Sequence, residues 1–514
     1  MSEISRQQDP VAILIVGGGS AGSVLAARLS EQPTRTVRLL EAGEVYPLNS
    51  IPADLLDPAH VPGEPRHDWG FTMRGSAASP AIAAPRGKTL GGSSAVNAAV
   101  AIRATADDIR KWKRHNLEGW SVEEVAAVFK SMENAPDGTP TLHGQTGPFP
   151  IRQRTYGELT SSLKAFIDAG TAAGYQRVDD FSSDRHHGIG GFPVNVVDGR
   201  RQSTAMTYLT DAVRSRPNLM IDGGVLIDRV LFDDGVATGV IDADGTVYRA
   251  SEVILSAGAY ASPAILLRSG VGDADELTQL GISVVADLPV GQRLVDHPFY
   301  YNASALKPGH LDITPATGAL LWTASSESRG EELDLHITAT HLFDHSLSPT
   351  GGAIAIGIAV VSPDSRGTVR LRSRDPREYP VIDSNFLHEE RDRSRMLEGL
   401  KLSRKLSQSP QLGSVLAVEL QPGADVQGDE ALANAIDAGL APYAHPASTA
   451  PMGGPEDPWA VVGSDGAVKG VAGLRVIDAS IMPEIPTVAI HLTVIMIAER
   501  LARAVYGASP TPYI

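Results

Sequence analysis

The chain has 514 residues, enough for two or three domains with a sizeable core, and it contains no cysteine. This composition excludes disulfides, thiol catalysis and cysteine-ligated metal or iron–sulfur centres. A formal net charge of −16 argues against nucleic acid or an anionic membrane surface as a partner. No apolar run is long enough to span a bilayer and the first ten residues are polar, so we expect a cytoplasmic protein.

The first predicted element is a buried parallel strand over Val11–Val16, which runs directly into the spaced glycines Gly17, Gly19 and Gly22. A helical pattern follows from Ser23. In this G-x-G-x-x-G arrangement the first glycine permits a tight turn, the second lets backbone approach a pyrophosphate, and the third lets the helix pack close to the strand. The phosphates would lie at the helix N-terminus. The spacing alone also fits an ordinary glycine-rich turn.

A second predicted strand, over residues 37–40, ends at Glu41, 19 residues after Gly22. An acidic residue at this place can accept a hydrogen bond from a ribose hydroxyl, although a solvated residue at the strand end is the alternative. Strand, glycine turn, helix and second strand together predict a Rossmann-like α/β unit that binds a dinucleotide.

Residues 42–85 show no clear period, which favours a functional loop. The small residues Gly91–Ala95, followed by Asn97, would let backbone pass close to a flat or anionic group; a plain glycine-rich loop is the alternative. His186 and His187 suggest a metal, but no third ligand lies at a usual spacing, so we expect a solvated loop and no metal site.

Beyond this point the pattern alternates between helices and strands. Residues 120–175 have helical spacing, residues 219–257 read as short strands, and Ser262-Pro263 predicts a helix start. Strand-like residues 300–390 lack intervening glycine loops and predict a separate, mostly antiparallel sheet. Charged helices are expected over 388–440.

Near the C-terminus, Leu474–Asp478 predicts another buried strand and residues 491–506 an amphipathic helix. In that helix we expect Glu499, Arg500 and Arg503 to face outward.

Several of these segments, in this order, resemble the glucose–methanol–choline (GMC) flavin oxidoreductases. Within the family the sequence is most similar to members acting on pyridoxine, hydroxymethylfurfural or choline. The matching pieces are Gly17–Gly22 with Glu41, Gly87–Asn97, Gly258–Gly272, Val290–Pro298, Tyr443–Gly453 and Leu474–Arg500.

The resemblance implies an α/β fold in which a Rossmann-like FAD-binding domain carries a second, substrate domain built on a mostly antiparallel sheet. The implied FAD-binding domain combines residues 1–155, 196–300 and 441–514, and the substrate domain combines residues 156–195 and 301–440.

The resemblance also implies FAD, with Gly91–Asn97 along the flavin, Val225 on the adenine side, and Asp478-Ala479 near the pyrophosphate and ribityl chain. Some members attach flavin covalently through a histidine where this chain has Val96, so we expect non-covalent FAD. The implied cofactor-binding residues are Gly17, Gly19, Ser20, Ala21, Gly22, Glu41, Ala42, Gly91, Ser94, Asn97, Val225, Ala257, Asp478, Ala479, His491, Leu492 and Thr493.

Alcohol oxidation removes a hydroxyl proton and a hydride, and histidine is the natural base for the proton. By resemblance that base is His445, in a loop where Ser448 replaces the usual glycine. Most members have a second catalytic histidine or asparagine where this chain has Ala489. His491, two residues on, could take that role, or could only cap the helix or contact flavin.

The expected reaction is oxidation of a primary alcohol to the carbonyl, with the flavin reoxidised by O₂ or another acceptor. An aromatic or heteroaromatic alcohol is favoured by the resemblance, and a cationic alcohol such as choline would suit the acidic composition. Three alternatives remain open at this point: a non-redox lyase on the same fold, a nicotinamide-dependent enzyme, and a flavin-bearing interaction protein without turnover.

Overall fold

The computed structural model describes residues 7–76 and 79–507. Its first sheet is built around the long strand that precedes the glycine turn, in which Leu14 and Ile15 are fully buried. A strand that is apolar along its whole length must be buried on both faces of its sheet, and this strand pairs with parallel strands on both sides. In spatial order the strands are Leu219–Asp222, Val37–Leu40, Gln7–Val16, Val247–Leu255, Val236–Asp242 and Ile227–Asp233, with Leu474–Val476 paired to Val247–Leu255. The predicted Rossmann-like unit is confirmed.

The second sheet is antiparallel and has its own apolar core. In spatial order its strands are Leu416–Gln421, Pro298–Leu306, Ala353–Val360, Leu335–Thr340, Thr317–Thr323 and Gly188–Gly191, with Ala441–Pro442 paired to Pro298–Leu306. This confirms the predicted antiparallel sheet. The domain boundaries at residues 155, 195, 300 and 440 stay a prediction.

Two strand assignments differ from the sequence prediction. Leu416–Gln421 lies inside the stretch predicted to be helical; it is an edge strand whose exposed residues are Ala417 and Val418, so no alternation of buried apolar and exposed polar residues marks it in the sequence. Thr368–Arg370 belongs to a small third sheet instead of the main antiparallel one. That sheet contains Thr368–Arg370, Val381–Asp383, Thr72–Arg74 and Ala81–Ala83.

The helices pack against the two main sheets and against one another. Their bounds are Ser20–Leu29, Ala53–Leu56, Ala106–Lys113, Val122–Met132, Ser161–Ala172, Thr204–Thr207, Asp211–Arg214, Gly258–Arg268, Ala274–Gln279, Glu390–Ser407, Pro410–Gly413, Asp429–Gly439 and His491–Tyr506. Within the described residues, no helix has both the length and the apolar character needed to cross a bilayer.

The predicted helix start at Ser262-Pro263 is wrong, because the helix begins at Gly258 and Pro263 lies inside it. A proline there cannot donate to the carbonyl four residues earlier, that of Ala259. The Thr449 hydroxyl donates to that carbonyl at 2.8 Å instead, so the backbone acceptor stays paired. This long-range hydrogen bond allows Pro263, a residue type that usually marks the first turn of a helix, to lie inside this one.

The prediction that Glu499 faces outward is also wrong, because its side chain is fully buried. Arg28 donates to it through Nη2 at 2.8 Å, and the Tyr208 hydroxyl donates at 2.9 Å. These bonds join the C-terminal helix His491–Tyr506 to the helix that follows the glycine turn. A buried carboxylate requires such pairing, since an isolated charge in the core is strongly destabilising.

Candidate active site

A cavity of about 510 Å³ is lined both by the glycine turn of the first sheet and by strands of the antiparallel sheet. Predicted site residues that line it are Gly17, Gly19, Ser20, Ala21, Glu41, Ala42, Ser94, Asn97, Val225, Ala257, His445, Asp478, Ala479 and His491. The other predicted site residues, Gly22, Gly91, Leu492 and Thr493, lie behind this lining.

The three glycines of the turn differ in what surrounds them. Gly17 has φ +94°, and a Cβ built there would lie 2.7 Å from Cα of Ala257. At Gly22 a Cβ would lie 1.9 Å from the carbonyl oxygen of Gly17, so helix and strand approach as closely as the spacing predicts. Gly19 has only Cα of Gly92 within reach, at 3.8 Å, and otherwise faces the cavity.

The helix that starts after Gly19 offers an anion site at the cavity wall. It has no side-chain cap and no acidic residue in its first turn. The first amide N–H groups of any helix lack an intrahelical partner, and here no side chain accepts from them either. They also carry the positive end of the helix dipole. This end of the cavity suits a phosphate or pyrophosphate.

Glu41 is buried at the end of its strand, and each carboxylate oxygen already accepts a backbone N–H. Gly18 donates to Oε2 and Gly43 donates to Oε1, both at 2.7 Å. Burial outweighs these bonds and raises the pKa of Glu41 to about 7. The side chain therefore shapes the turn, while the remaining lone pairs can accept from a ligand hydroxyl.

The loop from Gly91 to Asn97 packs directly on the glycine turn. Gly91, at φ +98°, donates its N–H to the carbonyl of Gly18 at 2.8 Å. Asn97 accepts from the N–H of Ala99 at 2.9 Å and places its amide nitrogen 3.4 Å from Nδ1 of His491. The loop thus reaches from the turn to the start of the C-terminal helix.

Asp478 fastens the last strand to the helix beginning at Gly258. Its Oδ2 accepts from the N–H of Gly258 at 2.8 Å and from the Ser262 hydroxyl at 2.6 Å, and its Oδ1 accepts from the N–H of Ser480 at 2.8 Å. Burial raises the pKa of this carboxyl despite the hydrogen bonds. The arrangement holds Ala257 and Ala479 at the cavity wall.

His445 lies in a loop whose backbone is fixed from two sides. Its N–H donates to Oδ1 of Asp296 at 2.8 Å, and Arg86 donates to the carbonyl of Ala444 at 2.7 Å. Burial, reinforced by His297 and Arg86, holds the pKa of His445 well below its ordinary value. The ring is partly exposed, but towards the cavity, so it is a neutral imidazole that can accept a proton.

Ser448, which stands where the family pattern has glycine, adopts φ +65°. This left-handed conformation favours glycine and costs another residue about 1–2 kcal/mol. The loop therefore keeps the backbone geometry that a glycine would give, with a small strain in place of a rearrangement.

His491 is the first residue of the C-terminal helix, which begins without a side-chain cap. Its Nε2 is buried without a hydrogen-bond partner, and burial lowers the pKa of the ring to about 4. Ala489 lines the same part of the cavity. Leu492 and Thr493 are buried behind the ring, and the Thr493 hydroxyl also has no partner.

The paired histidines His186 and His187 take part in ordinary polar contacts. Nδ1 of His186 is 2.8 Å from the carbonyl of Ser183, and Nε2 of His187 is 3.3 Å from the Thr323 hydroxyl. Across residues 7–76 and 79–507, no group of three histidine or acidic side chains is placed to hold a metal ion.

Two models of the GMC oxidoreductase family match the chain, one over residues 11–299 and one over residues 363–498. The chain belongs to the GMC oxidoreductase family. The predictions of family and of an oxidoreductase are thereby confirmed.

Curated relatives of this GMC oxidoreductase include oxygen-dependent choline dehydrogenase from Pseudomonas savastanoi, which is 37% identical. The alignment covers 97% of this chain and 94% of that protein. Among solved structures, pyridoxine 4-oxidase from Mesorbium loti is 31% identical with a TM-score of 0.89, over 97% of this chain and 100% of the other. Formate oxidase from Aspergillus oryzae shares the fold, with a TM-score of 0.87 and 23% sequence identity. That match covers 98% of this chain and 99% of the formate oxidase chain.

In this GMC oxidoreductase, an aromatic wall of Phe299, Tyr301 and Tyr443 lies beside His445 and was not predicted from the sequence. Phe299 and Tyr301 sit two residues apart on one strand and therefore on one face. Tyr443 stacks on Phe299 with ring centroids 4.5 Å apart and planes within 11°. Period-two spacing of aromatics in Phe299-Tyr300-Tyr301 was the available signal, but it does not tell which face meets the cavity.

Proposed function

We propose that the protein oxidises a primary alcohol to the carbonyl, with FAD as the hydride acceptor and His445 as the base. The observation that carries the proposal is the single cavity lined by both the anion site at Gly19 and the neutral imidazole of His445. Membership of the GMC oxidoreductases supports this reaction class, and O₂ or another acceptor would reoxidise the flavin.

The residues around the cavity fit FAD along its length. The uncapped helix start after Gly19 suits the pyrophosphate, and the second uncapped helix start, at His491, offers further N–H groups. Two buried polar atoms there, Nε2 of His491 and Oγ1 of Thr493, have no protein partner. Glu41 can accept from the ribose. Bound FAD would supply the hydride acceptor, and the protein supplies orientation and acid–base chemistry.

Within this proposal His445 takes the hydroxyl proton on Nε2, because its lowered pKa keeps the ring neutral and ready to accept. The dipole of the helix beginning at His491 favours negative charge at its N-terminus and would stabilise an anionic reduced flavin bound there.

The wall next to His445 favours a neutral aromatic alcohol over a cationic one. Its side chains from the antiparallel sheet and nearby loops include the uncharged Phe192, Phe299, Tyr301, Thr317, Thr338, Thr340, Leu342 and Tyr443, and Arg86, which donates to the carbonyl of Ala444 beside them, is a cation. A quaternary ammonium binds well over open aromatic faces. Phe299 and Tyr443 stack, so each ring covers one face of the other. We therefore assign a primary, aromatic or heteroaromatic alcohol.

An anaerobic panel tests this function. The yellow holoenzyme is mixed with benzyl alcohol, a pyridine methanol, choline or a secondary sugar alcohol, and absorbance near the flavin maximum is followed before air is admitted. Bleaching by the two aromatic alcohols supports the proposal. Bleaching by choline alone would overturn the substrate class, and carbonyl release without bleaching would indicate a lyase.

We predict that FAD is bound without a covalent link. Val96, which lines the cavity, offers no nucleophile, and the chain has no cysteine to replace it. Acid precipitation should leave all of the yellow colour in the supernatant. Colour that stays with the washed pellet would contradict this prediction.

A separate prediction concerns His491. It lines the cavity together with Ala489, whose side chain can neither donate nor accept a hydrogen bond. If His491 orients the alcohol, His491→Ala should lower kcat by roughly 10-fold or more while FAD content stays normal. His491→Asn, which keeps a polar group, should recover part of the rate. Normal reduction rates combined with lost FAD or a lower Tm would assign the residue a structural role.

A further inference from the structure

A second buried histidine touches His445 on the side away from the cavity. Nδ1 of His297 lies 3.1 Å from Nδ1 of His445, and the two rings are nearly perpendicular at 87°. His297 is fully buried and does not line the cavity. The pair connects segments 148 residues apart in the chain.

Asp296 fixes the spacing of this pair. One carboxylate oxygen, Oδ1, accepts the backbone N–H of His297 at 2.7 Å and that of His445 at 2.8 Å. Both histidines are therefore tied to a common acceptor through their main chains. Because both backbones bond to the same oxygen, the fold of this loop fixes the short distance between the two rings.

The contact restricts where the protons can lie. Burial lowers the pKa of His297 to about 3 and that of His445 well below its ordinary value, so both rings are neutral. Two Nδ1 atoms at hydrogen-bond distance share one proton, because one nitrogen must donate and the other accept. Only two tautomer arrangements satisfy this condition.

In the first arrangement His445 carries its proton on Nδ1, which leaves Nε2 bare towards the cavity. His297 then accepts on Nδ1 and carries its proton on Nε2. That Nε2 is buried and has no hydrogen-bond partner. In the second arrangement Nε2 of His445 is protonated and cannot act as a base.

We propose that His297 is a positioning residue that accepts the Nδ1–H of His445 and so keeps Nε2 of His445 free for the alcohol proton. This inference rests on the proposed function, because it assigns the base its tautomer. In the proton transfer the alcohol O–H bond breaks and an N–H bond forms at Nε2 of His445. His297 keeps its own proton, and its bond to the resulting imidazolium becomes charge-assisted and stronger.

The other titratable groups near the pair complete its surroundings. Asp296 is fully buried, and this burial raises its pKa to about 7 although the positive charge of Arg86 opposes the rise; His336 and Tyr443 are buried and neutral. Among these, Asp296 is the one that hydrogen-bonds to the backbone of both histidines. His297 is thus the residue that touches the ring nitrogen of His445.

Two variants with opposite hydrogen-bonding capacity test the proposal in the holoenzyme. His297→Leu removes the acceptor, and His297→Asn restores an oxygen near the place of Nδ1. We expect flavin reduction by the alcohol to slow roughly 10- to 100-fold in H297L, less than on loss of the base itself, and to recover largely in H297N. FAD content and Tm are measured alongside.

Nitrogen-15 NMR of histidine-labelled holoenzyme gives a readout that needs no turnover. The His445 signals are assigned by their loss in His445→Gln. We expect a protonated Nδ1 and a bare Nε2 in the native protein, and a mixture of tautomers in H297L. A protonated Nε2 in the native protein, or an H297L enzyme reduced at the native rate, would overturn the proposal. A native enzyme that no alcohol reduces would refute the proposed function instead.

Discussion

Replacing His445 by alanine is expected to slow reduction of the bound flavin by roughly 10²–10⁴-fold, the usual contribution of a general base. The neutral ring lines the cavity, and no other described histidine except His491 does so. FAD should stay bound, because the anion site at Gly19 lies in a different loop. Stopped-flow absorbance with a saturating alcohol measures the rate.

His388→Ala is the matched control for this variant, since His388 is exposed and lies outside the cavity lining. It should reduce at the native rate. If His445→Ala also reduces at the native rate with full FAD content, His445 is not the base.

Replacing Gly19 by leucine is expected to abolish FAD binding without unfolding the protein. A Cβ at Gly19 would meet only Cα of Gly92 at 3.8 Å, and its φ of −72° suits any residue. The added side chain would therefore fill the cavity at the helix start, where the pyrophosphate is expected. We expect affinity to fall by at least about 100-fold, about 3 kcal/mol. Titration of apoprotein with FAD measures it.

Gly309→Leu is the control for the added side chain, because Gly309 is exposed and has nothing within 4 Å of a built Cβ. It should bind FAD normally. Gly22→Ala should behave differently from Gly19→Leu, since its Cβ would lie 1.9 Å from a carbonyl oxygen and would destabilise the fold. Native FAD affinity in Gly19→Leu would show that the cofactor phosphates do not lie at this helix.

The sequence predicts best what local pattern determines. The strand before Gly17 and the helix over residues 491–506 have local patterns that need no partner to be recognised, and both are found, with the strand beginning at Gln7, four residues earlier than predicted. The edge strand Leu416–Gln421 was missed, because it forms through its pairing with Pro298–Leu306 and no alternation of buried apolar and exposed polar residues marks it. Tertiary contact overrides local preference there.

Contacts between distant segments account for the errors and omissions near the site. Glu499 looks like a surface residue until Arg28 and Tyr208 meet it in the core. His297 falls within a segment matched to the family, but nothing local shows that its ring lies against His445. The proposed base, His445, was identified through the motif around it, since an isolated loop histidine carries no such signal.

The most direct test of the account is anaerobic flavin reduction by one aromatic primary alcohol in two forms, one with hydrogen and one with deuterium on the hydroxyl-bearing carbon. Removal of a hydride from that carbon predicts full bleaching with both forms and a several-fold slower rate with deuterium. Absence of bleaching with this and every other alcohol tried, in protein that retains its FAD, would contradict the account.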